Sequence, residues 1–122
     1  MMSEEDTGDK KLLELAAKAA GFTLEDHYDD DQYYPWCVTT EAFWNPLIDD
    51  GDAFRLMVEL RITVCTAPNP HRENKSLWVH YDLSIGGLTY QRMVDKDYDG
   101  DLCSAVRRAI VEAAAEIGWE MK

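Results

Sequence analysis

Residues 77–94 read LWVHYDLSIGGLTYQRMV, and the fold turns on them. Leu77, Val79, Tyr81 and Leu83 alternate with Trp78, His80 and Asp82, the period of two of a half-buried strand. Gly86 and Gly87 follow. Both reach positive φ without a Cβ clash, so they predict a tight hairpin from which residues 88–94 return as the partner strand. Upstream, residues 61–67 are β-branched and end at Pro68, a third strand. Between them PNPHRENKS, residues 68–76, is a polar turn broken by two prolines. Hairpin-linked strands predict a three-stranded antiparallel meander. Residues 33–38, YYPWCV, are a candidate fourth, short strand that Pro35 confines to an edge.

Helical periodicity surrounds these strands. Leu102, Ala105, Val106, Ala109, Ile110, Ala113 and Ile117 form one apolar stripe, with Arg107, Arg108, Glu112 and Glu116 on the wet side and Gly118 as the stop. Ala53, Leu56, Met57 and Leu60 recur at helical spacing behind Asp49, Asp50 and Asp52, which suit a helix start. Residues 10–20 carry a third stripe, Leu12, Leu15, Ala16 and Ala19. Thr7 or Asp9 is its candidate cap and Gly21 its stop. Residues 23–32 are polar and acidic and read as a solvated loop. The expected order is α-α-β-β-β-α in one α+β domain over residues 10–122, the three strands packed against about three helices, with residues 1–9 a flexible acidic leader.

A chain of 122 residues, 46% apolar with four Trp, six Tyr and three Phe, fills one core. It contains no run long and apolar enough for a membrane span and begins without a signal peptide. Cys37, Cys65 and Cys103 have no paired spacing, and His27, His71 and His80 are scattered, so neither a disulfide framework nor a zinc motif is expected. These readings describe a cytoplasmic protein with reduced thiols and no cofactor. Twelve basic residues face 24 acidic ones, a net charge of −12. That field disfavours direct nucleic-acid or membrane binding and favours a basic partner. Between Lys18 and Arg55 there is no Lys or Arg, while the same stretch holds Glu25, Asp26, Asp29, Asp30, Asp31, Glu41, Asp49, Asp50 and Asp52.

DKDYDGDL, residues 95–102, has the opening of a calcium loop: Asp95, Asp97 and Asp99 at alternate positions, then Gly100. Val106 stands where an EF-hand needs a bidentate Glu. The competing reading is an acidic turn in which Asp99 or Asp101 caps the last helix. Asp29, Asp30 and Asp31, like Asp49, Asp50 and Asp52, could hold a divalent ion or simply form a solvated loop and a cap. No catalytic set emerges. Ser76, Ser84 and Ser104 lack a nucleophile elbow, Cys65 lies mid-strand, and Cys103 has acidic neighbours and no nearby His. Trp36, Phe43, Trp44 and Trp78 suit core or partner-surface packing better than base stacking, since the first three have no basic residues around them.

Trp44-Asn45-Pro46, then Asp52-Ala53-Phe54 opening a helix, then strands and an Ala-rich final helix (Ala105 to Ala109) together resemble the small phage ABA-sandwich domain proteins, over roughly residues 10–119. The resemblance implies fold and source, a phage or prophage accessory protein of unassigned function, and carries over no active-site residue. Physically, Pro46 holds Asn45 extended, the Asn side chain can satisfy local donors, and Trp44 anchors the turn. The expectation is a binding protein with no catalysis, its partner a basic host or phage protein. The candidate partner surface is Asp29, Asp30, Asp31, Asp49, Asp50, Trp36 and Trp44. One alternative is a nucleic-acid mimic that inhibits a basic host protein through its acidic strip. Another is a weak calcium-binding module on Asp95, Asp97, Asp99 and Asp101. Oligomeric state stays open.

Overall fold

The computed structural model describes residues 8–66 and 75–121. Most of the acidic leader, His71 and the polar turn at 68–74 lie outside the described residues. The architecture is α+β, three helices with antiparallel sheets. The larger sheet has the order β6 (Thr63–Cys65), β7 (Ser76–Ile85), β8 (Leu88–Asp97). Gly86 and Gly87 close the β7–β8 hairpin at φ 59° and 84°, the two positive values a two-residue turn requires. Val79 sits opposite Val64 on one side and Val94 on the other. Leu77, Val79, Tyr81 and Leu83 are buried under the helices, while Trp78, Asp82 and Met93 on the opposite face are exposed.

Helices α1 (Asp9–Ala20), α2 (Asp50–Leu60) and α3 (Leu102–Glu120) supply most of the rest of the core, with Cys37, Trp44 and Ile62 added from the segments between them. Gly8 occupies the N-cap of α1, and Thr7 lies outside the described residues; Asp9 lies in the first turn, where its carboxylate meets Arg108 at 2.9 Å. Gly21 ends the helix in the left-handed conformation, as its position predicts. Asp101 caps α3, accepting from the Ser104 N–H at 2.9 Å and its hydroxyl at 2.8 Å. Those bonds, the hydroxyl's first, hold its carboxyl below the usual range.

α3 departs from its sequence reading in two ways. It runs through Gly118 to Glu120, so Gly118 is no stop. A Cβ there would lie 2.0 Å from the Leu15 carbonyl oxygen, so the glycine is where α1 crosses α3 at backbone contact. Burial accordingly extends beyond one stripe to Val111, Ala114 and Ala115, whereas Leu102 is exposed.

The side expected to be wet is instead a charged seam against the sheet. Glu112 meets Lys96 of β8 and lies 3.5 Å from Arg108, and Glu116 pairs with Arg92 at 2.8 Å. Arg107 is also drawn in, its side chain only 17% exposed, donating to the Leu47 carbonyl at 2.9 Å and to Asp50 at 2.6 Å. The seam crosses a groove of about 460 Å³ between α3 and the hairpin.

Buried Tyr81 lies beneath this groove, its phenol pushed up from 10.0 to about 12 by desolvation and then by the Glu116 charge. A raised phenol pKa contributes stability that is whole below pH 10 and is lost as pH rises through 12. Tyr81→Phe is therefore expected to flatten the alkaline limb of the stability curve, read from urea midpoints across that range. An unchanged limb would place the titration elsewhere.

Candidate protein-interaction surface

Between α1 and α2 the acidic strip folds into a small lobe. β1 (Leu24–Glu25), β4 (Trp36–Cys37) and β5 (Ala42–Phe43) form one antiparallel sheet, and β2 (Tyr28–Asp29) pairs with β3 (Gln32–Tyr33). The stretch expected to be a solvated loop, residues 23–32, thus holds β1 and β2 and the first residue of β3. Backbone bonds outside the ladders complete it: Val38 N–H to Thr23 C=O at 2.9 Å, Tyr34 N–H to His27 C=O at 2.7 Å, and Trp44 N–H to Pro35 C=O at 3.0 Å. Buried Pro35 and Cys37 root the lobe in the core.

Lys10 of α1 ties down the outer hairpin. Its ammonium lies 3.2 Å from Asp26 and 5.6 Å from the Tyr33 ring centroid, and the Tyr33 hydroxyl donates to Asp26 at 3.0 Å. The hydrogen bond between them raises the Lys10 pKa and lowers that of Asp26. Burial, then Asp26, pushes the Tyr33 phenol up.

At the tip, Asp30 and Asp31 adopt φ 48° and 65°, the double left-handed geometry of a type I′ turn, and Asp29 precedes them in β2. All three are exposed. The second turn position favours Gly, and Asp31→Gly also thins a run of like charges. The substitution is expected to stabilise by about 0.5 kcal/mol after the entropy glycine adds to the unfolded chain. A rise in melting temperature checks it; a fall would contradict the I′ geometry.

The other residues singled out in the sequence divide between scaffold and surface. Asp49 caps α2, accepting from the Asp52 N–H at 2.8 Å, and Asp50 holds Arg107. Asp52 accepts from the Asn45 N–H at 2.9 Å and pairs with Arg55 at 2.8 Å. Trp44 is 5% exposed and meets Phe22 edge-on at 5.7 Å. The Asn45 side chain accepts from the Leu47 N–H at 3.0 Å, and Pro46 is buried. The Trp-Asn-Pro segment is therefore architecture. Trp36 is half-buried in β4, its ring against Phe43. Of the candidate metal residues, Asp95 and Asp97 lie in β8, Asp99 follows it, and Asp101 is the α3 cap. Among the described residues no three His, Cys, Asp or Glu side chains gather closely enough to hold a metal ion.

What sequence reading missed is the apolar patch that the lobe builds with α2. Phe43, 51% exposed, is the hub of an aromatic cluster, with ring centroids of Trp36 at 5.1 Å, Tyr34 at 5.2 Å and His27 at 6.0 Å. The first two meet it edge-on, each at an interplanar angle of 85°. Beside it runs a groove of about 510 Å³ lined by Phe43, Trp44, Phe54, Leu56 and Val58. Phe54 and Val58 are 59% and 57% exposed. Their signal was present in the sequence. They stand four residues apart, off the Ala53, Leu56, Met57, Leu60 stripe, which marks a second apolar face on α2. Comparison with family models, with curated proteins and with solved structures finds no match for this chain.

Proposed function

We propose that this protein works by binding a partner protein, which seats apolar side chains in the Phe43–Phe54–Val58 groove and meets the surrounding carboxylates with basic residues. The observation that carries this is the pairing of exposed apolar surface with predominantly acidic surroundings. Phe43 and Phe54 are more than half exposed at a segment that has no Lys or Arg from residue 19 to residue 54, and Val58, also more than half exposed, completes the groove beyond Arg55, whose guanidinium is held by Asp52. Rigid aromatic anchors provide most of the energy in protein interfaces, and a field of one sign steers the encounter and selects partners of the opposite sign. The reading keeps the expectation of a cytoplasmic phage or prophage accessory protein that acts without catalysis. It shifts the centre of the surface from Asp49, Asp50 and Trp44 to the lobe.

The test compares capture from nuclease-treated bacterial lysate, at low and high salt, by the wild type, by Phe43→Ser/Phe54→Ser and by a variant with Asp29, Asp30 and Asp31 all changed to Lys. A basic partner held by the wild type, lost by the aromatic variant at both salts and weakened in the charge variant only at low salt is the expected pattern. Undiminished capture by a folded aromatic variant would remove the groove from the interface. Competition by duplex DNA would identify the partner as a nucleic-acid-binding protein and favour mimicry.

A further inference from the structure

The groove between α3 and the β7–β8 hairpin carries an inference independent of the lobe. Its volume of about 460 Å³ lies in the range of small-molecule sites. Where it runs, α3 contributes only alanines, Ala109 and Ala113, to the apolar floor that it shares with Val79 and Leu83. The charged seam forms one side. Glu112, Glu116 and Glu120 follow one another at intervals of four along α3, on one helix face, and all three line the groove. β8 answers the first two. Lys96 meets Glu112, and Arg92 meets Glu116 at 2.8 Å. The third is left without an answer. Past Arg92, the next positions of β8 on this side of the sheet are Tyr90 and Leu88, opposite Leu83 and Ile85, and neither is basic. Glu120 accordingly makes no ion pair among the described residues.

We infer that this end of the groove binds a small organic cation, an amine carried on an apolar body, with the ammonium at Glu120 and the body between Trp119 and the hairpin. The charge favours a cation. Arg92 and Lys96 are already held by carboxylates, so an anionic ligand would have to displace Glu116 or Glu112 against a net charge of −12. α3 has no basic residue in its last turn, where the carbonyls of a helix end favour positive charge. Lys18, which reaches this end from α1, donates to the Met121 carbonyl at 2.8 Å. The apolar body is favoured by the walls. Trp119 is 37% and Ile85 43% exposed, and Leu88 and Tyr90 extend the same face of the sheet at 60% and 49%. An indole also attracts an ammonium to its face. Glu120 is half-buried, which leaves a pair made there less screened than one on open surface.

The two periods locate the missing cation. Four helical residues rise about 6 Å and two strand residues about 7 Å. Tyr90 therefore follows Arg92 along β8 as Glu120 follows Glu116 along α3. A lysine at 90 would complete the seam from within the chain. It and an external ammonium are alternatives for one carboxylate, so filling the position should close the site.

Titration of the whole protein with phenethylamine tests this, followed by the Trp119 indole N–H and the amides of residues 85–90 in two-dimensional NMR. A saturable shift is expected, with a dissociation constant on the order of a millimolar or tighter. 3-Phenylpropionate carries the same ring with the opposite charge, and methylamine carries the charge without the ring. Each is expected to bind about tenfold more weakly or worse. Added salt is expected to weaken phenethylamine binding. Glu120→Gln is expected to weaken it about fivefold, and Tyr90→Lys by at least as much; both positions are at the surface, and a native circular dichroism spectrum verifies that the variants are folded. No saturable shift at Trp119, a carboxylate probe that binds as well as the amine, or a Glu120→Gln protein that binds as tightly as the wild type would each overturn the proposal. None of these outcomes bears on the groove around Phe43.

Discussion

Gly118→Ala is expected to be the most damaging single-methyl change in the protein, lowering stability by about 3 kcal/mol or more. Two effects of opposite sign compete. In a helix interior, alanine is favoured over glycine by about 1 kcal/mol, and α3 continues past residue 118. Against that, the new Cβ would lie 2.0 Å from the Leu15 carbonyl oxygen, 2.9 Å from its carbon and 3.3 Å from the Ala19 nitrogen. These are backbone atoms of α1, so no rotamer relieves the overlap. The helices must separate, and α1 carries Leu12, Leu13, Leu15, Ala16 and Ala17 of the core with it. The clash outweighs the propensity.

Gly51→Ala is the control that isolates the cause. It is also a helical glycine, but its Cβ would meet the mobile Arg55 guanidinium at 3.2 and 3.3 Å and the Asp49 carboxylate at 3.3 Å. The exposed Arg55 side chain can yield and the capping Asp49 carboxylate need give by only a few tenths of an ångström, so the change is expected to stay within about 0.5 kcal/mol of the wild type. Thermal melts check both, since for a domain of this size 3 kcal/mol lowers the melting temperature by roughly 10 °C or more. A Gly118→Ala protein as stable as the wild type would mean that α1 and α3 do not cross at backbone contact.

Gly118 also marks where the sequence stops being legible. A glycine at the end of an apolar stripe has one local meaning, a stop, and one tertiary meaning, a crossing point. Only the position of α1 distinguishes them. The β7–β8 hairpin posed no such choice, because alternation from Leu77 to Leu83 and the pair Gly86-Gly87 agree locally. Glu112 and Glu116 were legible as one face of α3, but what they face is decided by the register that brings Lys96 and Arg92 beneath them. The lobe was hidden for a different reason. Strands of two residues are too short to show a period, and their pairings depend on Lys10 and Pro35, which are distant in sequence from the residues they hold. Charge was legible as a strip and misleading as a site. Asp49, Asp50 and Asp52 belong to the cap, the Arg107 tie and the Asn45 turn, whereas Asp29, Asp30 and Asp31 are presented to solvent.

Trp44 and Trp36 both stood in the candidate partner surface, although Trp44 also read as the anchor of its turn, and substitution should separate them. Trp44→Ala is expected to cost about 3–5 kcal/mol, the range for emptying an aromatic core site, and so a large part of the 5–15 kcal/mol typical of a domain. The indole is 5% exposed, closes edge-on over Phe22, and leads directly into Asn45, whose backbone and side chain organise the start of α2. Its loss opens a cavity beside Phe22, between α1's exit and α2's entry. Trp36 is half-buried and touches Phe43 at the surface, so Trp36→Ala is expected to cost only about 1–2 kcal/mol. It should nonetheless weaken partner capture, because it removes one wall of the aromatic cluster. Urea denaturation of both variants, read beside capture of the same partner, makes the distinction. If Trp44→Ala proved the milder change, the buried Trp-Asn-Pro turn would not be what holds the lobe to the core. If Trp36→Ala left capture untouched in a folded protein, the interface would begin at Phe43 and extend over α2 alone.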